Sequence, residues 1–435
     1  MKDVIVVGSG AGGATVAKEL QGKFDVTVLE AGKEFHPFPL ELSAIEMGKR
    51  TGLLWDEREM SLFFRTLQIR KSSDMVLVNG IGLGGSTTIS CGNGLRMDQD
   101  LKSIGIDLDD EFEEVFQEIP ITTAHQKRWH KYTRRLFEIC CEMGLNPQPL
   151  PKMGHYEKCI SCGRCIFGCE HGAKWDSRQF LQAACERGAQ VMTGCQVERV
   201  VIEHGRATGV VARYGWKRKF YPAELVVLAA GGFGTPVILQ NSGIPCEPHL
   251  FVDPVLCLAI EWKDALQYKE IEMPFAIQRE HYILSPYFDY VSFLFNKEWK
   301  YPAKDTLGMM IKLADSTTGS ISKQDVRKTL TSLDKERLNG AVEVAREILI
   351  RFGAKKQNIF LGTLYAGHPG GMLPLTGREA MSFHHERLPE NLYIADATLI
   401  PESLGNPPIL TIVAMAKRIS KLIGGSHGTR IHLRK

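Results

Sequence analysis

Residues 3–8 (Asp3-Val-Ile-Val-Val-Gly8) form a β-branched apolar run that stops at glycine, the pattern of a strand buried on both faces. Residues 12–21 then set Val16, Ala17 and Leu20 on one face at helical spacing. A second apolar run, Asp25-Val-Thr-Val-Leu-Glu30, predicts another strand, so the chain opens as a strand–helix–strand unit. The helical period returns over 107–118, 127–143 and 177–188. A strand pair is predicted over 190–213, turning at His204-Gly205, and a buried strand at Glu224-Leu-Val-Val-Leu-Ala-Ala230. From about 245 to 320 the period drops to two and aromatics crowd, as in Tyr282-Ile-Leu-Ser-Pro-Tyr-Phe-Asp-Tyr-Val-Ser-Phe-Leu-Phe295. That pattern predicts a mixed or antiparallel sheet. Residues 323–353 read as mostly helical. The chain closes on a strand at Asn391–Asp396 and a helix over about 408–423.

This order is α/β, and 435 residues suffice for two or three domains. The division expected is 1–244, containing a Cys-rich segment at 155–175, then a smaller mixed-sheet substrate domain at 245–375, then a return to the first domain over 376–435. With 53 basic and 50 acidic residues, the net charge of +3 points to no acidic partner and gives no nucleic-acid signal. No stretch of about 18 apolar residues occurs, so no transmembrane segment is expected. The N-terminus reads as a strand running into glycines and not as a secretory leader, so the expected compartment is the cytoplasm. There, eleven cysteines favour metal or cluster ligation over disulfides.

Gly8-Ser-Gly10-Ala-Gly-Gly13 matches G-x-G-x-x-G between a strand and a helix. Glycines let the backbone approach a pyrophosphate, and the helix N-terminus supplies free N–H groups. Glu30, ending the next strand, is placed to accept ribose hydroxyls. NAD and FAD both fit this fingerprint. A second glycine cluster, Asn79-Gly-Ile-Gly-Leu-Gly84-Gly85-Ser86-Thr87, argues for FAD.

Here the chain resembles the glucose–methanol–choline (GMC) flavoprotein oxidoreductases, whose L-G-G-S segment passes close to the flavin. Gly172-Ala-Lys174, Gly194-Cys-Gln-Val197 and Leu228-Ala-Ala-Gly231-Gly-Phe-Gly-Thr-Pro236 resemble further segments of that family. His368-Pro-Gly-Gly371, Asn391-Leu-Tyr-Ile-Ala-Asp396 and Gly405-Asn406-Pro407-Pro are most similar to its cholesterol-oxidase branch. The resemblance implies a Rossmann-like FAD-binding domain and oxidation of a CH–OH group by hydride transfer to flavin. It implies that His368 is the base or hydrogen-bond partner of the alcohol and that Asn406 orients the substrate or the flavin edge. By the same resemblance Gly84, Gly85, Ser86, Val197, Gly231, Asp396 and Pro407 lie along FAD. A histidine suits the role, because its pKa lies near neutrality. No histidine occupies the Gly-Leu-Gly-Gly-Ser-Thr segment, so the FAD is expected to be non-covalent. His384 and His385 read as surface loop residues. The chain is short for the family over 245–375, so its pocket is expected to be shallow, open, or completed by a partner.

Cys159, Cys162, Cys165 and Cys169 follow C-x2-C-x2-C-x3-C, the ferredoxin run that holds a [4Fe–4S] cluster. With no second run in the chain, the fourth ligand is Cys169 or a remote thiol such as Cys195, Cys246 or Cys257. Glu170 replaces the usual proline. Structural zinc also accepts four thiolates, although zinc sites more often separate two C-x2-C pairs by a longer loop. Some GMC relatives carry a Gly-Cys-x-x-Gly-Ala-Lys segment with no cluster, which accounts for Cys169 alone. The expected activity is an FAD-dependent CH–OH dehydrogenase passing electrons through the cluster to a ferredoxin-like carrier. The alternatives are an iron–sulfur flavoprotein reductase of a C=C or C=O bond, or an electron-transfer subunit of a larger redox complex.

Overall fold

The computed structural model describes residues 2–38, 42–51, 66–323 and 325–431. The opening unit forms as a strand at Asp3–Val7, a helix at Ala11–Leu20 and a strand at Asp25–Leu29. These join a five-stranded sheet ordered 392–394, 225–228, 3–7, 25–29, 190–192. Every pairing in it is parallel. Such a sheet needs cover on its faces, which is why its strands are apolar throughout. The helices Ala11–Leu20 and Ile409–Ile431 supply part of that cover and pack on each other. The strand pair expected over 190–213 extends into an antiparallel meander of Cys195–Glu203, Arg206–Tyr214 and Lys217–Pro222.

The second sheet has nine strands. Val255–Glu261, Thr306–Leu313, Tyr282–Pro286 and Phe275–Gln278 pair antiparallel in that order. Tyr365–Ala366 lies antiparallel to Val255 on one side and parallel to Val76-Leu77 on the other, which makes the sheet mixed. Its far edge is built from Leu67–Lys71 and Val76–Gly80, and its opposite edge from Gln148–Pro149. Strands from the N-terminal half therefore complete the sheet that the aromatic-rich stretch begins. The helix expected from 323 starts later, at Ser332, where Thr331 and Asp334 close a capping box. Residues 326–327 instead pair as a strand with 320–321.

The two sheets meet at the turn after strand 225–228. A Cβ on Gly232 would lie 1.9 Å from the Pro369 carbonyl oxygen, so only glycine lets this turn press on the loop carrying His368. The contact fixes His368 beside the C-terminal ends of the parallel strands, where open α/β sheets bind ligands.

Candidate active site

A cavity of about 800 Å³ runs along this junction. At one end it is lined by Gly8, Gly10, Glu30, Gly85 and Ser86. Ser9 donates through its N–H (3.0 Å) and its hydroxyl (2.6 Å) to Glu30 Oε2, and the Gly32 N–H donates to Oε1 at 2.8 Å. The carboxylate is thus aimed by backbone. Burial raises its pKa, and those hydrogen bonds oppose the rise. Gly85 has φ +54°, and a Cβ there would stand 3.0 Å from Gly10 Cα. The second glycine cluster lies backbone-to-backbone on the first. Val197, Gly231 and Asp396 continue the wall. Asp396 accepts from the Gly231 N–H (2.9 Å) and the Thr235 hydroxyl (2.5 Å), locking the turn to the C-terminal strand.

His368 lines the same cavity, with 31% of its side chain accessible. Its Nδ1 faces two groups. Asp253 Oδ2 lies 3.1 Å away, and the Lys312 ammonium nitrogen also contacts Nδ1. Lys312 Nζ and Asp253 Oδ2 are themselves 3.3 Å apart, with side chains 4% and 1% exposed. Asp253 Oδ1 accepts from the Ser403 hydroxyl and from the Gly405 N–H at 3.2 Å. With Nδ1 occupied, the imidazole is left Nε2 for the cavity. Burial and the adjacent lysine lower the His368 pKa, against the pull of Asp253. Tyr287, Tyr290 and Tyr365 form an aromatic wall on this side, and Arg70 rests over the Phe233 ring at 5.2 Å.

The four cysteines of the ferredoxin-like run line one small cavity of about 20 Å³. Cys195, Cys246 and Cys257 do not line it. Cys159 Sγ accepts from the Ser161 N–H at 3.4 Å. Among the described residues, no group of three or more His, Cys, Asp or Glu side chains gathers to hold a metal ion, and all eleven cysteines are free. The short turn Cys165–Phe167 bears on both cavities. Cys165 lines the small one, while Ile166 and Phe167 line the large one.

Buried Lys174 ties the two together. Its ammonium donates to the carbonyls of Thr88 (2.7 Å) and Ser90 (2.7 Å) on the glycine loop, and to Cys165 (2.8 Å) on the cysteine loop. Lys152, also buried, donates to the carbonyls of Glu272 (2.6 Å) and Cys91 (3.2 Å). Burial pushes the nearby Glu272 carboxyl up to about 7, opposed by its hydrogen bond with Cys91. Replacing Lys174 by Met strands several buried carbonyls at once. Each such group costs about 1–3 kcal/mol, so the denaturation midpoint of Lys174→Met should fall clearly in guanidinium titrations. A midpoint equal to the wild type would mean that water replaces the ammonium.

Of the residues singled out in the sequence, Gly8, Gly10, Glu30, Gly85, Ser86, Val197, Gly231, His368 and Asp396 line the large cavity. Gly13 stands behind it, where a Cβ would lie 2.0 Å from the Gly8 carbonyl oxygen. Gly84 and Pro407 do not line the cavity, though Pro408 does. Asn406 is fully buried. Its amide donates to Leu404 O and Gln278 Oε1, both at 3.3 Å, and its Oδ1 has no partner. His385, expected on the surface, is buried at 8% exposure, and its Nδ1 accepts from the Arg387 backbone N–H at 3.2 Å. Asp253 and Lys312 carried no motif. The one available sign was a lone lysine in the otherwise apolar strand Thr306–Leu313.

Residues 2–258 match the GMC oxidoreductase family. The chain is 27% identical over 434 residues to an uncharacterized protein of Methanocaldococcus jannaschii, covering 97% of this chain and 100% of that one. It is 28% identical over 274 residues to a long-chain-alcohol oxidase of Arabidopsis thaliana, a match spanning 56% of this chain and 34% of the oxidase. Among solved structures, pyridoxine 4-oxidase of Mesorbium loti superposes with a TM-score of 0.71 at 15% identity, covering 97% and 99% of the two chains. A formate oxidase of Aspergillus oryzae does so with 0.72 at 13%, covering 98% and 99%. These structural likenesses establish a shared fold over almost the whole length. No helix among the described residues is long and apolar enough to cross a membrane. The cavity, the paired glycine loops and the family match over more than half the sequence agree, and the chain belongs to the GMC oxidoreductases.

Proposed function

We propose that this protein is an FAD-dependent oxidoreductase acting on a CH–OH group, with a [4Fe–4S] cluster on Cys159, Cys162, Cys165 and Cys169 as the exit for electrons to a ferredoxin-like carrier. The observation that carries the reading is that one cavity is lined both by the glycine cradle with Glu30 and by His368. Its residues fit FAD: the glycine pair leaves room for a pyrophosphate, and Glu30 is aimed where a ribose would lie. Bound FAD supplies the hydride acceptor. The chain's own part is to hold a substrate hydroxyl near His368 Nε2, to take its proton there, and to exclude water with the tyrosine wall. The roles of His368 and Asn406 follow the cholesterol-oxidase branch, and the alcohol oxidase among the relatives supports an alcohol substrate.

The cluster reading is supported by the cysteine spacing, by the cavity that the four thiols share, and by the Cys165–Phe167 turn that borders both cavities. An N–H donated to a ligand sulfur and buried lysines nearby both favour an anionic centre. Carbonyl reduction is the second reading. A protonated Lys312 on Nδ1 makes Nε2 a donor, which is what a carbonyl oxygen requires.

The test is anaerobic purification followed by iron and sulfide analysis, then a screen of alcohols for flavin bleaching. FAD, cluster iron and bleaching by at least one alcohol are expected. Stoichiometric zinc without iron would remove the relay. A flavin that no alcohol bleaches, but that forms when a carbonyl is reduced, would select the second reading.

A further inference from the structure

We propose that Lys312 is the positioning residue that stores the substrate proton, with His368 passing it between the cavity and the lysine and Asp253 holding both. This rests on the reading of His368 as the proton acceptor. An imidazole ring has one nitrogen on each side, so a proton taken at Nε2 can be matched by one released at Nδ1. Here Nδ1 does not face water. It faces Lys312 Nζ and Asp253 Oδ2, both almost wholly buried.

Asp253 is fixed from several sides. Its residue sits at φ +52°, its N–H donates to Asp315 Oδ1 at 2.8 Å, and Ser403 and Gly405 hold its Oδ1. A non-glycine residue held in the left-handed region is over-determined by its surroundings. Lys312 sits in a strand buried at every position, paired with Val255 and Ile283 on its two sides. The charged or titratable groups around it are Asp253, Asp315, Cys91 and His368. Burial lowers the Lys312 pKa, and Asp253 opposes that.

In oxidation the substrate O–H bond breaks and its proton bonds to Nε2. The Nδ1–H bond breaks and that proton bonds to Nζ, turning amine into ammonium. The hydrogen on carbon leaves with its electron pair to FAD, the oxidant. The imidazole ends neutral with its tautomer exchanged, and the new ammonium pairs with Asp253. Carbonyl reduction runs the same transfers backward. Oxidation therefore needs the amine form and speeds up as pH rises, and reduction needs the ammonium and slows.

The test combines kinetics with a signal that needs no turnover. In the FAD-loaded wild type, flavin bleaching by alcohol should rise about tenfold per pH unit below the lysine midpoint, the slope of one proton. Lys312→Met should lose that limb, because Nδ1–H then donates to Asp253 and Nε2 stays a base. In ¹⁵N spectra of histidine-labelled protein at neutral pH, His368 should be the Nε2–H tautomer in the wild type and the Nδ1–H tautomer in Lys312→Met. Removing one partner of a buried pair can unfold a protein. The double variant Lys312→Met/Asp253→Asn removes both charges and should also lack the limb. An unchanged limb with an unchanged tautomer overturns the proposal. If no alcohol bleaches the wild type, the alcohol reading fails, and the tautomer exchange still decides the relay.

Discussion

His368→Ala should slow reduction of the bound flavin by alcohol by about 10²–10⁴-fold, the usual worth of a positioned base, while FAD remains bound. The two halves of that expectation have separate structural grounds. FAD retention depends on the cradle at Gly8, Gly10, Gly85 and Glu30, none of which is a hydrogen-bond partner of the His368 side chain. The rate depends on Nε2, because the hydride leaves the carbinol carbon only as the hydroxyl proton is taken. His368→Asn keeps a hydrogen-bonding side chain but no base, so it should bind substrate with little change in KM and lose kcat. Burial and the neighbouring Lys312 lower the His368 pKa. Its own acid limb should then fall below the ordinary histidine range near 6.5. Anaerobic stopped-flow bleaching checks all three. A rate within a few-fold of wild type for His368→Ala would move the proton to another group on the cavity wall, where Tyr287, Tyr290 and Tyr365 stand.

The parallel sheet was legible because strands buried on both faces leave apolar runs that local composition shows directly, as at 3–7, 25–29 and 225–228. Glycines that lie backbone-to-backbone leave a mark too, since no other residue fits at Gly85 or Gly232. The edge strand Leu67–Lys71 and its neighbour Val76–Gly80 left no such mark. Both are short and carry Arg70, Lys71 and Asn79, and they join the sheet because Val76-Leu77 pairs with residues 365–366 far along the chain. The same holds for the site. His368 announced itself through its neighbours in sequence. Asp253 and Lys312 reach it across separations of 115 and 56 residues, so their role depends on sheet register that no local pattern encodes. Lys174 sat inside a recognisable segment, yet its function as a strut between two loops is visible only from its carbonyl partners on both.

Cys162→Ser should separate the two redox halves. In the wild type purified without oxygen, about four iron and four sulfide per chain are expected. In the variant, iron falls well below that and the EPR signal of the reduced cluster disappears. Substrate should still bleach the flavin, because Cys162 lines only the small cavity and none of the residues around His368. Electron delivery to a one-electron acceptor should drop to background. The fold should survive, since Cys162 is only partly buried and a serine hydroxyl can still accept the backbone N–H of Arg164 that meets its thiol. Cys169→Ser tests the fourth ligand in the same assay. Loss of iron there places Cys169 on the cluster, in keeping with its position on the cavity wall, whereas Cys195→Ser and Cys257→Ser should keep full iron because neither thiol borders that cavity. The separation has a physical basis in the Cys165–Phe167 turn. It sets Cys165 against the small cavity and Ile166 and Phe167 against the large one, so the proposed relay would pass through a wall that the two cavities share. An enzyme that loses flavin bleaching together with iron would show that the cysteine loop shapes the substrate site through Lys174. One that keeps full acceptor reduction without iron would show that electrons leave the flavin by another route.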